Sequence, residues 1–516
     1  MSDVERIHPR TQEIGELLEF LSGPDGGFAY VRGRRRVGKS WVLQKVEGQS
    51  PGRVLLYTGK QDQSAQSTLA EFATRFDEFA LSTLGGALPA DVPVLSELRP
   101  DALTWERALR AFAQLASALR RGEGSSAMPL ALFFDEIQWV ARRSSGIVGA
   151  IKATWDLLKA KGVKMILCGS SNRFFEEHSG GEEKTLRGLK TRSDVWIHPM
   201  STAQTRTAFF PHWSLQESAM VQMFFGGIPY YLENVPDEPS FVLAINQAAF
   251  LKRSLFLEEA ADILELDFNS QRQERALRII ESIPAQGSSI DTIVRRTGFP
   301  QSNVSEIIDA LARYHFVSRR PLPSVGKRGA PGQLVRIADP FLMFYSAVLA
   351  PRREAIKAND ARNIFGTIVG AKSDSFYIPE FTGSAFELLV ERELRAGPRS
   401  LESRSWPALY NRLRLTPAVA GGMHEVSADV RDRGSQVDVL VVDAAARIAH
   451  QIECKWGRED PGWLDDQQHK PTTTRLPDGY CVNRVLACGY PTSQAFIEKA
   501  KSVRVTVLSL EELAGA

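Results

Sequence analysis

The stretch that decides the fold is FAYVRGRRRVGKSWVLQKV, Phe28 to Val46. An apolar strand-like run, Phe28–Val31, leads into GRRRVGKS, Gly33 to Ser40, and then into the helical WVLQKV. The spacing is GxxxxGK[ST] between a strand and a helix, the arrangement that cradles nucleotide phosphates. Gly33 and Gly38 let backbone N–H groups turn inward around the anion. The helix start adds the positive end of its dipole. Lys39 is expected on the β/γ-phosphates, and Ser40 supplies a hydroxyl ligand for Mg2+.

Working outward, LALFFDEIQW, Leu130 to Trp139, is an apolar strand ending in two carboxylates. Asp135 is expected to hold Mg2+ through its water shell, and Glu136 to orient and deprotonate the attacking water. Two carboxylates after a buried strand also suit a helix N-cap region. MILCGSSN, ending at Asn172, is a buried strand followed by small polar residues. That puts Ser170, Ser171 or Asn172 beside the γ-phosphate, or makes them plain turn formers. The expected cofactor-binding set is Gly33, Arg36, Val37, Gly38, Lys39, Ser40, Trp41, Asp135 and Ser171, with ATP and Mg2+ as the cofactors.

The chain has 516 residues, which at roughly 100–200 residues per domain suggests three domains. Hydrophobic residues make up 43% and charged residues 24%, which excludes a long disordered chain, a collagen-like fibre and a small disulfide scaffold. With 63 Lys+Arg against 61 Asp+Glu, any basic surface for nucleic acid must be local. Cys168, Cys454, Cys481 and Cys488 form no CxxC pair, so a zinc knuckle is not expected. The N-terminus is charged and lacks an apolar signal core. The apolar run Met128–Phe134 is too short to span a bilayer. The expectation is a soluble, cytoplasmic protein with no membrane partner.

Residues 1–200 alternate strand-like runs (Phe28–Val31, Val54–Thr58, Leu130–Phe134, Val163–Cys168, Val195–His198) with helical stretches such as Leu69–Leu84 and Thr104–Arg120. Short apolar strands alternating with helices predict a parallel sheet covered on both faces. Residues 201–273 carry helical periodicity and predict a helical lid subdomain. Residues 274–350 read as helix, helix–turn–helix and two strands around a Pro/Gly-rich segment, the layout of a winged helix. Residues 351–516 predict a mixed α/β domain, with a helix at SAFELLVERELRAG and strands at QVDVLVVD, RIAHQIECKW, NRVLACGY and VRVTVLSL.

GRRRVGKS, FFDEIQW, ILCGSS, GGIPYYL (Gly226–Leu232) and IADPFLMFY (Ile337–Tyr345) occur in this order. Together they resemble a family of prokaryotic P-loop ATPases, abundant in archaea and related to the STAND and AAA+ classes. The likeness covers nearly the whole chain. It implies a P-loop parallel-sheet ATPase core with a helical subdomain, a winged helix, and a C-terminal restriction-endonuclease-like domain of the PD-(D/E)XK type, an α/β fold throughout. PRTQEIGEL looks like the box that precedes the core strand, which implies that Arg10 lies near the nucleotide. The family commonly carries an arginine shortly before the strand that ends at a Pro-apolar pair. Arg187, Lys190 and Arg192 stand there, and an exposed basic loop is equally open. GGIPYYL is either a second sensor region or a break between helices.

From Leu311 to Arg336 there are six basic residues (Arg313, Arg319, Arg320, Lys327, Arg328, Arg336) and no acid. On a winged helix this is the surface that would meet DNA, with Ser302 and Asn303 at the start of the reading helix. A packing role with a solvated basic loop is the alternative.

Asp438 on one strand-like run, then Glu453 and Lys455 on the next, resembles the PD-(D/E)XK core. Glu453 and Lys455 are two apart and share a strand face, with Cys454 on the other. Glu387 matches the helical glutamate of that family. The resemblance implies metal ligands Glu387, Asp438 and Glu453, in addition to Ser40 and Asp135 at the P-loop. Glu136, Asp438, Glu453 and Lys455 are the expected catalytic residues. Carboxylate oxygens suit Mg2+, and a lysine would stabilise charge on a phosphodiester. A salt-bridged strand pair or a degenerate nuclease fold would also give this pattern. Gln467, Gln468 and His469 are further candidate DNA contacts.

The function expected from the sequence is an ATP-hydrolysing protein whose nucleotide state controls a metal-dependent DNA nuclease. The alternative is an ATP-switched DNA-binding or scaffold protein with an inactive nuclease-like domain. The sequence leaves a homo-oligomer open: an arginine supplied by a neighbouring copy would require assembly, and no such residue is identified.

Overall fold

The computed structural model describes residues 10–123, 128–143, 146–179, 186, 191–265, 267–321, 333–358, 363–369, 376–396, 424–432, 435–443, 447–470 and 479–514. The chain divides into two compact units, one of residues 8–199 and one formed mainly by residues 200–516.

The first unit is built on five strands: β1 (Gly27–Arg32), β2 (Val54–Thr58), β3 (Ala131–Asp135), β4 (Lys164–Gly169) and β5 (Thr191–Trp196). They are all parallel, in the order β2-β3-β4-β1-β5. The inner strands are apolar along their length because helices cover both faces of the sheet. Tyr57, Phe72, Trp105 and Phe134 pack edge-on and stacked between β2, β3 and the helices Ala65–Thr83 and Trp105–Glu123. β5 lies earlier than the expected Val195–His198 run. It is an edge strand, so its polar TRSD segment can pair with β1 on one side only. Asp194 there pairs with Arg32 at 3.2 Å.

The second unit opens with the helices Thr202–Phe209, Leu215–Phe225, Pro229–Glu233, Phe241–Ala249 and Phe256–Glu265. Ser201 with Gln204, and Ser214 with Glu217, close capping boxes on the first two, each contributing about 1 kcal/mol. Gly226 and Gly227 end the second of these helices, and Pro229 starts the next. Gly227 has φ +71° and touches the Met200 carbonyl so closely that a Cβ would sit 2.1 Å from that oxygen. GGIPYYL is therefore a helix break held by close backbone packing.

Next come the helix Ser270–Ser282, β6 (Ser288–Ser289), the helices Ile290–Thr297 and Gln301–Arg313, and the strands β7 (Val317–Pro321) and β8 (Gln333–Ile337). These strands form a small antiparallel sheet in the order β6-β8-β7. Gly298, in the left-handed conformation, caps the first helix of the pair. The ADPFLMFY segment follows as a short helix, Pro340–Phe344, running into a π-helical turn at Tyr345–Leu349. Phe344 lies against Phe224 at 4.4 Å and Phe381 at 5.8 Å between ring centroids. This motif too builds the core.

The C-terminal part pairs the helix Thr382–Ala396 with a five-stranded mixed sheet: β9 (His424–Asp432), β10 (Ser435–Asp443), β11 (Ile448–Lys455), β12 (Cys481–Cys488) and β13 (Val505–Ser509). The order is β13-β12-β11-β10-β9, antiparallel from β9 to β11 and parallel from β11 to β13. Among the described residues no helix is long and apolar enough to cross a membrane.

Candidate functional site

The loop from Gly33 to Gly38 joins β1 to the helix Lys39–Gly48. Gly33 passes so near the Ile197 carbonyl that a Cβ would lie 2.5 Å from its oxygen. Gly38 has φ +97° and caps the helix. Arg36 also adopts a left-handed backbone, at φ 67°. Such strained positions cluster where a loop must present its N–H groups to a ligand. Val37 is fully buried and anchors the loop to the core. Lys39 is 3% exposed, and its ammonium donates to the carbonyls of Gly33 and Arg34 at 3.0 and 2.9 Å. Its charge is thus held inside the concave side of the loop. Ser40 and Trp41 lie half-buried in the first helical turn, where Trp41 stacks under the Lys45 ammonium.

Arg10 is a buried clamp on this loop. Its guanidinium donates to the Val37 carbonyl at 2.9 Å, the His198 carbonyl at 2.6 Å and Glu13 at 3.1 Å. Burial lowers its pKa, with Glu13 opposing. It therefore ties the loop to the chain beyond β5 through two carbonyls, with Glu13 as its counter-ion.

Asp135 ends β3 and is 1% exposed. Oδ1 accepts the Glu136 N–H at 2.9 Å, while Oδ2 is buried with no N–H or O–H donor, only the Cys168 thiol lying near the carboxylate. An orphaned carboxylate oxygen beside a phosphate-binding loop fits the water shell of a divalent cation. Cys168 beneath it is pushed well above its ordinary pKa, first by burial and then by Asp135, with Lys39 opposing. Glu136 has φ 49°. Its carboxylate accepts from Gln138 Nε2 and from Ser170 Oγ, the latter at 3.1 Å. Ser170 is thus the polar residue of the β4 end that reaches the expected base. The Ser171 hydroxyl accepts the Phe174 N–H at 3.2 Å and so caps the helix Asn172–Ser179. Arg187 and Lys190 lie outside the described residues, as does the Arg192 side chain.

In the second unit, the structure brings Glu387, Asp438, Glu453 and Lys455 together. Asp438 is 6% exposed and accepts the Cys454 N–H at 2.9 Å across the β10–β11 pair. Burial pushes its carboxyl up to about 8, with Glu387 and Glu453 adding to the effect and the Cys454 N–H and Lys470 opposing. Lys455 Nζ lies 2.9 Å from Glu453 Oε1. Burial works against its charge, but Glu453 more than offsets this and the pKa ends above its ordinary value. Two cations that sequence reasoning did not place here complete the cluster. Lys470, just past the helix Gly462–His469, donates to Glu453 Oε2. Arg336 on β8 pairs with Glu387 at 2.8 Å and donates to the Ser384 carbonyl at 2.8 Å.

The expected three-carboxylate metal set is therefore not assembled in this arrangement. Among the described residues no three His, Cys, Asp or Glu side chains are placed to hold one ion. Arg336 engages Glu387, and two lysines engage both oxygens of Glu453.

The expected basic surface is also smaller than the sequence suggests. Arg336 is 3% exposed. Arg319 folds back to Asp309 at 2.7 Å and the Ser305 carbonyl at 3.1 Å. Lys327 and Arg328 lie outside the described residues, as does the Arg320 side chain. Gln467 is buried, and His469 turns its Nδ1 to the Asp465 carbonyl at 2.8 Å, while Gln468 is exposed.

Residues 24–175 match the AAA domain family. A curated relative, an uncharacterized protein of Methanocaldococcus jannaschii, is 25% identical over 228 residues, 44% of this chain and 50% of that protein. The chain thus spans about half the length of the curated relative it matches. Similar solved structures include a Walker-type ATPase of Pyrococcus abyssi, with a TM-score of 0.48, 18% identity, and coverage of 66% of this chain and 96% of that one. Cdc6p of Pyrobaculum aerophilum has a TM-score of 0.30, 15% identity, and coverage of 69% and 96%. Orc1 of Aeropyrum pernix, in complex with DNA, has a TM-score of 0.28, 14% identity, and coverage of 68% and 93%. The family match and the five-stranded parallel sheet give the chain a P-loop ATPase core of the AAA type.

Proposed function

We propose that this P-loop site binds and hydrolyses ATP with Glu136 as the base, and that its nucleotide state controls the C-terminal domain. The observation that carries the first part is the convergence at the ends of β3 and β4: an orphaned Asp135 Oδ2 beside a Glu136 carboxylate gripped by Ser170 and Gln138. Lys39 and the loop N–H groups of residues 33–38 would take the phosphates. Ser40 and Asp135 would hold Mg2+, which when bound neutralises phosphate charge. Glu136 would accept the proton of the attacking water, with Ser170 fixing the direction of its carboxylate. The test is phosphate release by the purified chain. Glu136→Gln should bind ATP without turning it over, and Lys39→Ala should lose both. Normal turnover by Glu136→Gln would remove Glu136 as the base.

For the second unit we read residues 274–350 as a winged helix and residues 351–516 as a PD-(D/E)XK-like domain acting on DNA. What supports this is the meeting of Glu387, Asp438, Glu453 and Lys455 around the β10–β11 pair. The engagement of Glu387 and Glu453 by internal cations favours a second reading, an ATP-switched DNA-binding or scaffold protein whose nuclease-like domain does not cleave.

A further inference from the structure

Glu136 is held from two directions, and both holds meet at the end of β4. Ser170 Oγ donates to its Oε1 at 3.1 Å. Gln138, two residues further on in the helix Ile137–Arg143, donates its Nε2 to Oε2. Glu136 is half-buried, whereas Gln138 is 7% exposed. A carboxylate accepts only, so the amide must turn its nitrogen towards Glu136. Its oxygen then faces the other way. Gln138 Oε1 is buried and has no N–H or O–H donor among the described residues.

Buried acceptors are paired in nearly all native structures, because an unmet one lowers stability. The fold nonetheless makes room for this one. Gly169 is the last residue of β4, and a Cβ there would sit 2.5 Å from Gln138 Oε1. The next atoms it would meet, on the Phe175 ring and the Ile137 side chain, are at 3.3 and 3.4 Å. Gly169 does not share the positive φ of Gly33 and Gly38, so its backbone does not demand glycine. The close approach of the Gln138 amide does.

We propose that Gln138 is a positioning residue for Glu136, kept at a cost in stability because it aims the base. The inference rests on the reading of Glu136 as the base of ATP hydrolysis. A glutamate carboxylate turns easily about its last torsion. One donor leaves much of that freedom, while two donors on different oxygens set the plane. Gln138 acts through Glu136 and not on the nucleotide, so ATP affinity does not depend on it.

The experiment compares wild type, Gln138→Met, Gly169→Ala, the double variant Gln138→Met/Gly169→Ala, and Glu136→Gln. Three quantities are read on the full chain: melting temperature without nucleotide, ATP affinity by calorimetry, and turnover by phosphate release. Methionine keeps the unbranched shape and removes both the donor and the unmet oxygen. Gln138→Met should melt no lower than wild type, bind ATP with unchanged affinity and turn over about tenfold more slowly. Gly169→Ala should slow turnover similarly by displacing the amide. The double variant should be no slower than Gln138→Met, because the added Cβ acts only through the amide. Full turnover in Gln138→Met would overturn the proposal, and so would losses that multiply in the double variant. A Gln138→Met chain that melts well below wild type, or does not fold, would make Gln138 a packing residue and overturn it too. Glu136→Gln separates this failure from that of the underlying reading. Normal turnover there, or none in wild type, removes Glu136 as the base, and the proposal falls with it. An inactive Glu136→Gln beside a fully active Gln138→Met overturns the role of Gln138 alone.

Discussion

Ser170 Oγ lies 3.1 Å from Glu136 Oε1, joining the end of β4 to the residue that follows β3. The hydroxyl of the neighbouring Ser171 accepts the Phe174 N–H at a helix start. Two adjacent serines thus make different contacts, one with the Glu136 carboxylate and one with a helix terminus.

Ser170→Ala should leave ATP affinity near wild type and lower turnover about tenfold, a fraction of what a positioned base contributes. Ser171→Ala should cost about 1 kcal/mol of stability through the lost cap and change turnover little. Phosphate release and thermal melts on the two variants check this. Equal turnover losses would show that Ser170 has no special hold on Glu136.

Arg336 is buried and Glu387 half-buried in the ion pair they form, so breaking it from one side should be costly. Arg336→Ala should destabilise the second unit by about 1–3 kcal/mol. Arg336→Ala combined with Glu387→Ala should lose less than Arg336→Ala alone, because no carboxylate is then left without its arginine. A denaturant series on the three proteins measures the coupling. If Arg336 met DNA phosphates instead, its loss would reduce the slope of log K against log salt by about 1. The ion pair with Glu387 predicts an unchanged slope for Arg336→Gln.

Glu393 is buried against Thr202, whose N–H and hydroxyl donate to it at 2.9 and 2.7 Å. Burial raises its pKa, opposed by those two bonds and by Arg392. The folded state therefore holds this proton more tightly than the unfolded chain does. Its contribution to stability is full below the ordinary carboxylate range and is lost as pH rises through the raised value. Glu393→Gln, which keeps an acceptor for Thr202 without the charge, should flatten that fall and match or exceed wild type near neutral pH. Melting curves across the acid-to-neutral range read this directly, and a steeper fall in the variant would contradict the sign.

Much of this molecule is legible in its sequence. Strands β1 to β4 stand out because both of their faces are covered, which leaves near-continuous apolar runs even in β2 at the sheet edge. β5 starts earlier than expected because an edge strand tolerates TRSD. β9 went unread for a related reason: HEVSADVRD alternates charge with small apolar residues and lies at the sheet edge. The P-loop and the two carboxylate pairs are local motifs, so their residues could be named in advance. The partners of those residues could not. Arg336 is distant in sequence from Glu387, and Lys470 reaches Glu453 only once the helix Gly462–His469 has packed beside β12. A cluster of basic residues in sequence looks like a surface until the fold turns its members inward.

The proposed control of a metal-dependent nuclease by the nucleotide state of the core can be read on DNA. Plasmid cleavage tests it most directly, with Mg2+ or Mn2+, with and without ATP, comparing wild type, Lys39→Ala and Asp438→Ala/Lys455→Ala. Cleavage should depend on the metal, disappear in Asp438→Ala/Lys455→Ala, and respond to ATP in wild type but not in Lys39→Ala. DNA that is bound but never cut, under all these conditions, would contradict it and leave a nucleotide-switched DNA-binding protein.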